Sequence, residues 1–201
     1  MAAAPVGFDL DMTLIDSRRA VLAAFAGVAA DTGVPIDPVA VDRRLGIKLE
    51  AELAFWFPPQ EIPAAVASYR KHYAAAASAL TTVMPGAHAA LAAVRAAGAR
   101  IAVVTAKYVV PARASLEAAG LTADELFTEV HGAEKAAVLT SLGARVYVGD
   151  TPADMGAARL AGATAVGITT GSFTGGDLVA AGADVVFDSL TRFPDWFAAP
   201  R

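Results

Sequence analysis

At 201 residues, 56% hydrophobic, with a mean hydropathy of +0.49, the chain can bury a core as one domain or one domain with a smaller insert. A net charge of −4 and a pI near 5.3 leave no basic footprint for nucleic acid. With no cysteine, disulfides, thiolate nucleophiles and cysteine-ligated zinc are excluded. Met1-Ala2-Ala3-Ala4-Pro5 has neither the basic region nor the apolar run of a signal peptide, and charges, Gly or Pro interrupt every apolar run short of a membrane span. These features predict a cytoplasmic protein with no membrane or nucleic-acid partner, as monomer or homodimer.

The first predicted element is a short apolar strand ending in Val6-Gly7-Phe8-Asp9-Leu10-Asp11-Met12-Thr13-Leu14. Strand alternation would send Asp9 and Asp11 to one side. Two carboxylates so close repel, which suits a cation site or acid–base work; Asp is also common in a plain turn. Ser17 is positioned to cap a helix through Val21, Leu22, Phe25 and Val28, ended by Gly33. Asp37-Pro38 opens a second helix that stops near Gly46, a loop able to dip towards a pocket. Glu50–Phe57 reads as a third helix, and Glu61 to about Ser78 as a fourth, in which Tyr69 and Tyr73 pack between helices. Residues 17–81 thus form a helical insert with no convincing strand.

From Thr82 the rhythm alternates. A helix through Leu91 and Val94 precedes a strand over Arg100–Thr105; a helix over Pro111–Ala119 precedes a short strand over Leu126–Val130. A helix over Ala133–Leu142 leads to a strand over Arg145–Asp150, and a helix over Ala153–Ala161 to a strand over Thr164–Ile168. A helix over Asp177–Ala181, a strand over Asp184–Phe187 and a helix around Trp196 complete the chain. Apolar strands alternating with helices predict an α/β fold: a Rossmann-like parallel sheet flanked by helices. The helical insert follows the first strand, giving a core of 1–16 and 82–201 and a cap of 17–81. Right-handed crossovers bring the strand C-termini to one edge, so Asp9/Asp11, Thr105 and Asp150 should meet in one crevice.

Asp150 and Asp154 lie four apart, at a strand tip and one turn into the next helix. With Asp9 they offer hard oxygen donors suited to Mg²⁺; Asp154 also fits a helix-terminal acid favoured by the dipole. Lys135, poorly placed for the dipole of its helix, suits an anion, as does the Thr105 hydroxyl. Carboxylates, a divalent cation, a hydroxyl and an ammonium around one pocket describe phosphoryl transfer.

Asp9-Leu10-Asp11-Met12-Thr13, Thr105, Lys135 and Gly149-Asp150-Thr151-Pro152-Ala153-Asp154 resemble the four ordered motifs of the haloacid dehalogenase-like (HAD) hydrolase superfamily. The insert resembles the cap of its phosphoglycolate phosphatase-like and β-phosphoglucomutase-like branches. The resemblance implies a phosphatase acting on a small phosphorylated metabolite through an aspartyl-phosphate, with Asp9 as nucleophile and Asp11 as general acid and base. It implies Mg²⁺ held by the Asp9 carboxylate, the Asp11 carbonyl and Asp150, with Asp154 close by or through water. Thr105, Ala106 and Lys135 would bind the phosphoryl group. Met12 departs from the glycine that many relatives carry there. Lys135 also departs, since it follows Gly132-Ala133-Glu134 without the Lys-Pro pair common in the phosphoglycolate phosphatase-like branch. Thr105-Ala106-Lys107 is similar to a Thr-Asn-Lys stretch of the phosphatase branch, so Lys107 is either charge at the pocket mouth or a solvated lysine. A phosphomutase would use the same site with a sugar hydroxyl as acceptor, and a non-catalytic binding module would keep only the fold. The insert carries Arg43, Arg44, Lys48 and Arg70, but seven basic against six acidic residues make most of them solvated surface. His72, His88 and His131 show no ligand spacing, and Gly171–Gly176 reads as a loop.

Overall fold

The computed structural model describes residues 3–199. In chain order the elements are β1 (Ala3–Phe8), β2 (Ile15–Asp16), α1 (Arg18–Thr32), α2 (Pro38–Arg43), α3 (Leu49–Leu53) and α4 (Ile62–Leu80). There follow β3 (Thr82–Val83), α5 (Ala87–Ala96), β4 (Ala99–Val104), α6 (Val109–Ala118), β5 (Glu125–Phe127) and α7 (Ala133–Leu142). The chain ends with β6 (Val146–Gly149), α8 (Pro152–Leu160), β7 (Thr164–Ile168), α9 (Gly175–Ala180), β8 (Val185–Phe187), a 3₁₀ turn (Leu190–Arg192) and α10 (Phe193–Ala198). Two compact units result. One holds the residues up to Ile15 and from Val83 onward; the other is Asp16–Thr82.

The first unit is a six-stranded parallel sheet in the order β5-β4-β1-β6-β7-β8. Side chains alternate between its two covered faces. Val6, Phe8, Ile101, Val103, Val146 and Val148 face a cluster with Leu91 and Val94 of α5, Leu116 of α6 and Phe193 of α10. Val104, Tyr147 and Ala165 face the other way, against Leu139 of α7, Met155 of α8 and Leu178 of α9. Each fully buried side chain of this size contributes about 1.5–3 kcal/mol over exposure. The Phe8 and Phe193 rings meet edge-on, 5.5 Å apart. What positions the site is strand order: β1 lies between β4 and β6, so the chain ends leading to Thr105, Asp9 and Asp150 emerge side by side at one edge.

The second unit is helical. Phe25 and Val28 of α1 pack with Tyr69 and Tyr73 of α4, whose rings stack 5.8 Å apart, while Phe25 and Tyr69 lie 4.9 Å apart. Buried Glu52 accepts two bonds from Arg44, at 2.7 Å and 2.6 Å, and one from Trp56 Nε1 at 3.0 Å. His72 bonds Asp31 at 2.9 Å, a structural use. No helix among the described residues is long and apolar enough to cross a membrane.

Three local expectations need correction. Ser17 makes no side-chain cap bond, because its φ of −102° and ψ of 3° are not the extended cap geometry. Instead Asp16 Oδ1 accepts the Arg18 N–H at 3.0 Å. The helix expected over Glu50–Phe57 keeps its regular part only to Leu53. Beyond it Phe55 and Trp56 donate to the carbonyls three residues back, tightening the final turn. The strand expected to reach Val130 ends at Phe127. Glu129 turns left-handed at φ 59°, and Glu129 and Val130 bond the carbonyls of Lys107 and Thr105 instead of extending the sheet.

Candidate active site

β1 ends at Phe8, so strand alternation does not bring Asp9 and Asp11 to one side. The chain turns at Met12, whose φ of 60° is left-handed. The carbonyl of Leu10 then accepts N–H bonds from Thr13, Leu14 and Ile15. A glycine would hold this bend without the roughly 1–2 kcal/mol that a side chain costs there. Met12 adds buried side-chain packing in the core. The two acids take different cations: Asp9 Oδ1 accepts from Lys135 Nζ at 2.7 Å, and Asp11 Oδ1 accepts from Lys107 Nζ. The Lys107 side chain is only 7% exposed, which rules out the solvated-lysine reading.

Asp9, Asp150 and Asp154 are buried, and one carboxylate oxygen of each lies within 4.8 Å of the others. The first residue of the set follows β1, the second closes β6, and the third is in the first turn of α8. Asp154 takes the helix-terminal place expected of it and also pairs with Lys135. Its Oδ2 accepts from Thr151 N at 3.1 Å and Thr151 Oγ1 at 2.6 Å, completing a capping box, while Oδ1 accepts from Lys135 Nζ at 2.6 Å. Its oxygens are therefore engaged, and it holds Lys135 in place. Asp150 Oδ1 accepts a long bond from Thr13 Oγ1, at 3.3 Å. A Cβ on Gly171 would stand 1.9 Å from Asp150 Oδ2, so this loop can pass the carboxylate only as glycine. Next to it, Thr170 Oγ1 donates to the carbonyl of Met12.

Burial, reinforced by the Asp154 and Asp11 charges, pushes the Asp9 carboxyl up to about 7 against the pull of Lys135. Burial, with Asp9 and Asp154 beside it, pushes Asp150 well above the carboxylate range. Burial opposes the Lys135 ammonium, but Asp154 and Asp9 outweigh it and hold the lysine well above its ordinary value. Three acids around one ammonium are short of positive charge. Hard oxygens from Asp9 and Asp150, in a buried pocket with excess negative charge, fit a divalent cation such as Mg²⁺. Across β1, Thr105 Oγ1 accepts from Lys107 N at 3.1 Å, leaving the hydroxyl proton to donate to an anion. Ala106 lies in the loop between them.

A family model described as haloacid dehalogenase-like hydrolase matches residues 6–138, and a HAD-hydrolase-like model matches 129–193. The chain belongs to the haloacid dehalogenase-like hydrolases. Within the HAD superfamily it falls in the phosphoglycolate phosphatase-like branch. It is 33% identical to a phosphoglycolate phosphatase of Rhodospirillum rubrum, over 96% of this chain and 90% of that one. It is 32% identical to a protein of Dickeya dadantii named "Probable phosphatase IndB", over 92% of this chain and 89% of that one. A haloacid dehalogenase-like family hydrolase from Streptococcus pneumoniae shares the fold with a TM-score of 0.86 at 23% identity, covering 96% of this chain and 98% of that one.

In this HAD hydrolase the structure brings together Asp9, Asp150, Asp154 and Lys135, and pairs Asp11 with Lys107 apart from the acid triad. Sequence reasoning assigned no role in the site to Thr13, Thr151, Gly171 or Tyr147. The Thr151 cap was readable from Thr-Pro-Ala-Asp at a helix start. The closeness of Gly171 to Asp150 depends on a loop path that no local pattern encodes.

Proposed function

We propose that this chain is a Mg²⁺-dependent phosphoric monoester hydrolase that cleaves a small phosphorylated metabolite of the phosphoglycolate type. In this reading residues 1–16 and 82–201 form the catalytic core, and residues 17–81 form the cap that selects the substrate. The observation that carries the proposal is the buried cluster in which three carboxyl groups, Asp9, Asp150 and Asp154, share the single Lys135 ammonium, which bridges Asp9 and Asp154. The name of the Rhodospirillum relative supports the substrate class.

Asp9 and Asp150, with the Asp11 carbonyl, would hold Mg²⁺. When bound, it neutralises the carboxylates and the charge on the transferring phosphoryl group. The free Asp9 oxygen attacks phosphorus, and the bond from phosphorus to the ester oxygen breaks. Asp11 donates its proton to the departing oxygen, giving the alcohol, and Lys107 keeps the Asp11 side chain oriented. Thr105 donates its hydroxyl proton to a phosphoryl oxygen, and Lys135 offers a further N–H beside Asp9. Asp11 then takes a proton from water. The resulting hydroxide attacks phosphorus, the bond to Asp9 breaks, and inorganic phosphate leaves with the Asp9 carboxylate restored.

Release of inorganic phosphate from 2-phosphoglycolate should require Mg²⁺ and fall at least about 100-fold when a chelator removes it. Equal rates with and without the chelator would overturn the metal assignment. Transfer of the phosphoryl group to a hexose phosphate in place of water would make the enzyme a mutase.

A further inference from the structure

The mechanism above makes no use of Tyr147, whose side chain is fully buried in the middle of β6. In register it pairs with Gly7 of β1, two residues before Asp9. A Cβ on Gly7 would stand 2.8 Å from Tyr147 Cδ2 and 2.9 Å from Leu139 Cδ2. The nucleophile strand thus lacks a side chain where the tyrosine ring lies. The ring spans from β6 across β1 to β4, where its hydroxyl lies 2.9 Å from the carbonyl of Val104, the residue before Thr105. The same hydroxyl lies 3.2 Å from Asp154 Oδ1, the oxygen that receives Lys135 Nζ. Lys135 Nζ is 5.7 Å from the ring centroid. A phenylalanine would fill this volume equally well, whereas a buried phenol is costly unless its hydroxyl is paired. Here the one hydroxyl proton is shared between the Val104 carbonyl, next to Thr105, and Asp154 Oδ1.

We propose that Tyr147 is a positioning residue: seated in the slot left by Gly7, it ties the end of β4 to Asp154 and so fixes the Lys135 ammonium beside Asp9 and Thr105. This role rests on the phosphatase reading, in which Lys135 meets the phosphoryl group. It explains why a strand of small and branched residues carries one tyrosine and why its partner on β1 is glycine. Gly7 and Tyr147 act as one unit, since any side chain at position 7 moves the ring and its hydroxyl together.

The test is Tyr147→Phe in the full-length Mg²⁺-loaded enzyme. The hydroxyl bonds a charged group, so kcat should fall about tenfold, KM should rise with the weakened phosphate contact, and the melting temperature should fall by no more than about a few degrees. The affinity for inorganic phosphate, measured by calorimetry, should fall in the wild-type background and not in a Lys135→Met background, since the hydroxyl acts through that lysine. Gly7→Ala should give the same kinetic signature with Tyr147 intact; if it does not fold, Tyr147→Phe alone decides. Wild-type kcat and phosphate affinity in Tyr147→Phe would overturn the proposal. So would equal losses in both backgrounds, which mark a role in general packing. Wild-type phosphate affinity in Lys135→Met alone would instead refute the phosphoryl contact assigned to Lys135 and remove the basis of this role.

Discussion

Asp9→Asn should abolish turnover, lowering kcat by at least about 10⁴. The amide keeps the shape of the carboxylate and can still accept the Lys135 N–H bond, but it is no nucleophile. The fold should persist, because Asp9 lies beyond the end of β1 and its backbone bond to the Val148 carbonyl, 2.8 Å long, is untouched. The metal-free variant should also be more stable than wild type above neutral pH. The Asp9 carboxyl keeps its proton up to about 7 in the folded chain and loses it near the ordinary 3.8 when unfolded. Between those values the folded state holds the extra proton, so this group lowers stability as pH rises from 3.8 towards 7. Asparagine removes that loss, and a gain of a few degrees in melting temperature at about pH 8 is the expected sign. Retained phosphatase activity would remove Asp9 as nucleophile. An unfolded variant would contradict its placement beyond the regular part of β1.

Lys135→Met should be damaging in two ways. Its ammonium is the cation bonded to both Asp9 and Asp154, and all three side chains are buried. Removing it leaves three close carboxyl groups without that compensation. Breaking a buried ion pair from one side costs about 3–5 kcal/mol. The loss should be largest at alkaline pH, where the acids are ionised, and smaller in acid, where they take up protons. Mg²⁺ should recover part of it by replacing the missing charge. The catalytic rate should fall by about 10³ or more if, as proposed, this charge meets the phosphoryl group. Thermal melts across pH, with and without Mg²⁺, together with kcat, check both parts. Unchanged stability at alkaline pH would mean that the acids do not carry the charge assigned to them.

The parts of the site that a linear reading could reach are those fixed by strand ends. Apolar strands closing on Asp9, Thr105 and Asp150 imply one crevice as soon as the sheet is parallel, and β4-β1-β6 order brings them side by side. Lys135 was visible because a lysine at a helix start is badly placed for the dipole. Three features were hidden for physical reasons. The partners of Asp9 and Asp11 diverge because β1 stops at Phe8, before either acid, a boundary that the apolar pattern does not mark. Tyr147 looks like one more aromatic in a buried strand until its hydroxyl is traced to Val104 and Asp154. Gly171 matters only because a distant loop runs against Asp150. In each case a non-local contact decides the role.

The most direct measurement is a calorimetric titration of the metal-free protein with Mg²⁺ at several pH values, on wild type and Asp150→Asn. Asp9 gives up its proton only near 7, and Asp150 is held above the carboxylate range, so the ion must displace protons to bind. One Mg²⁺ per chain should bind, with affinity rising from about pH 5.5 to about pH 8, protons released on binding, and at least about a tenfold loss in Asp150→Asn. No binding to wild type, or equal binding by Asp150→Asn, would contradict a metal held between the ends of β1 and β6.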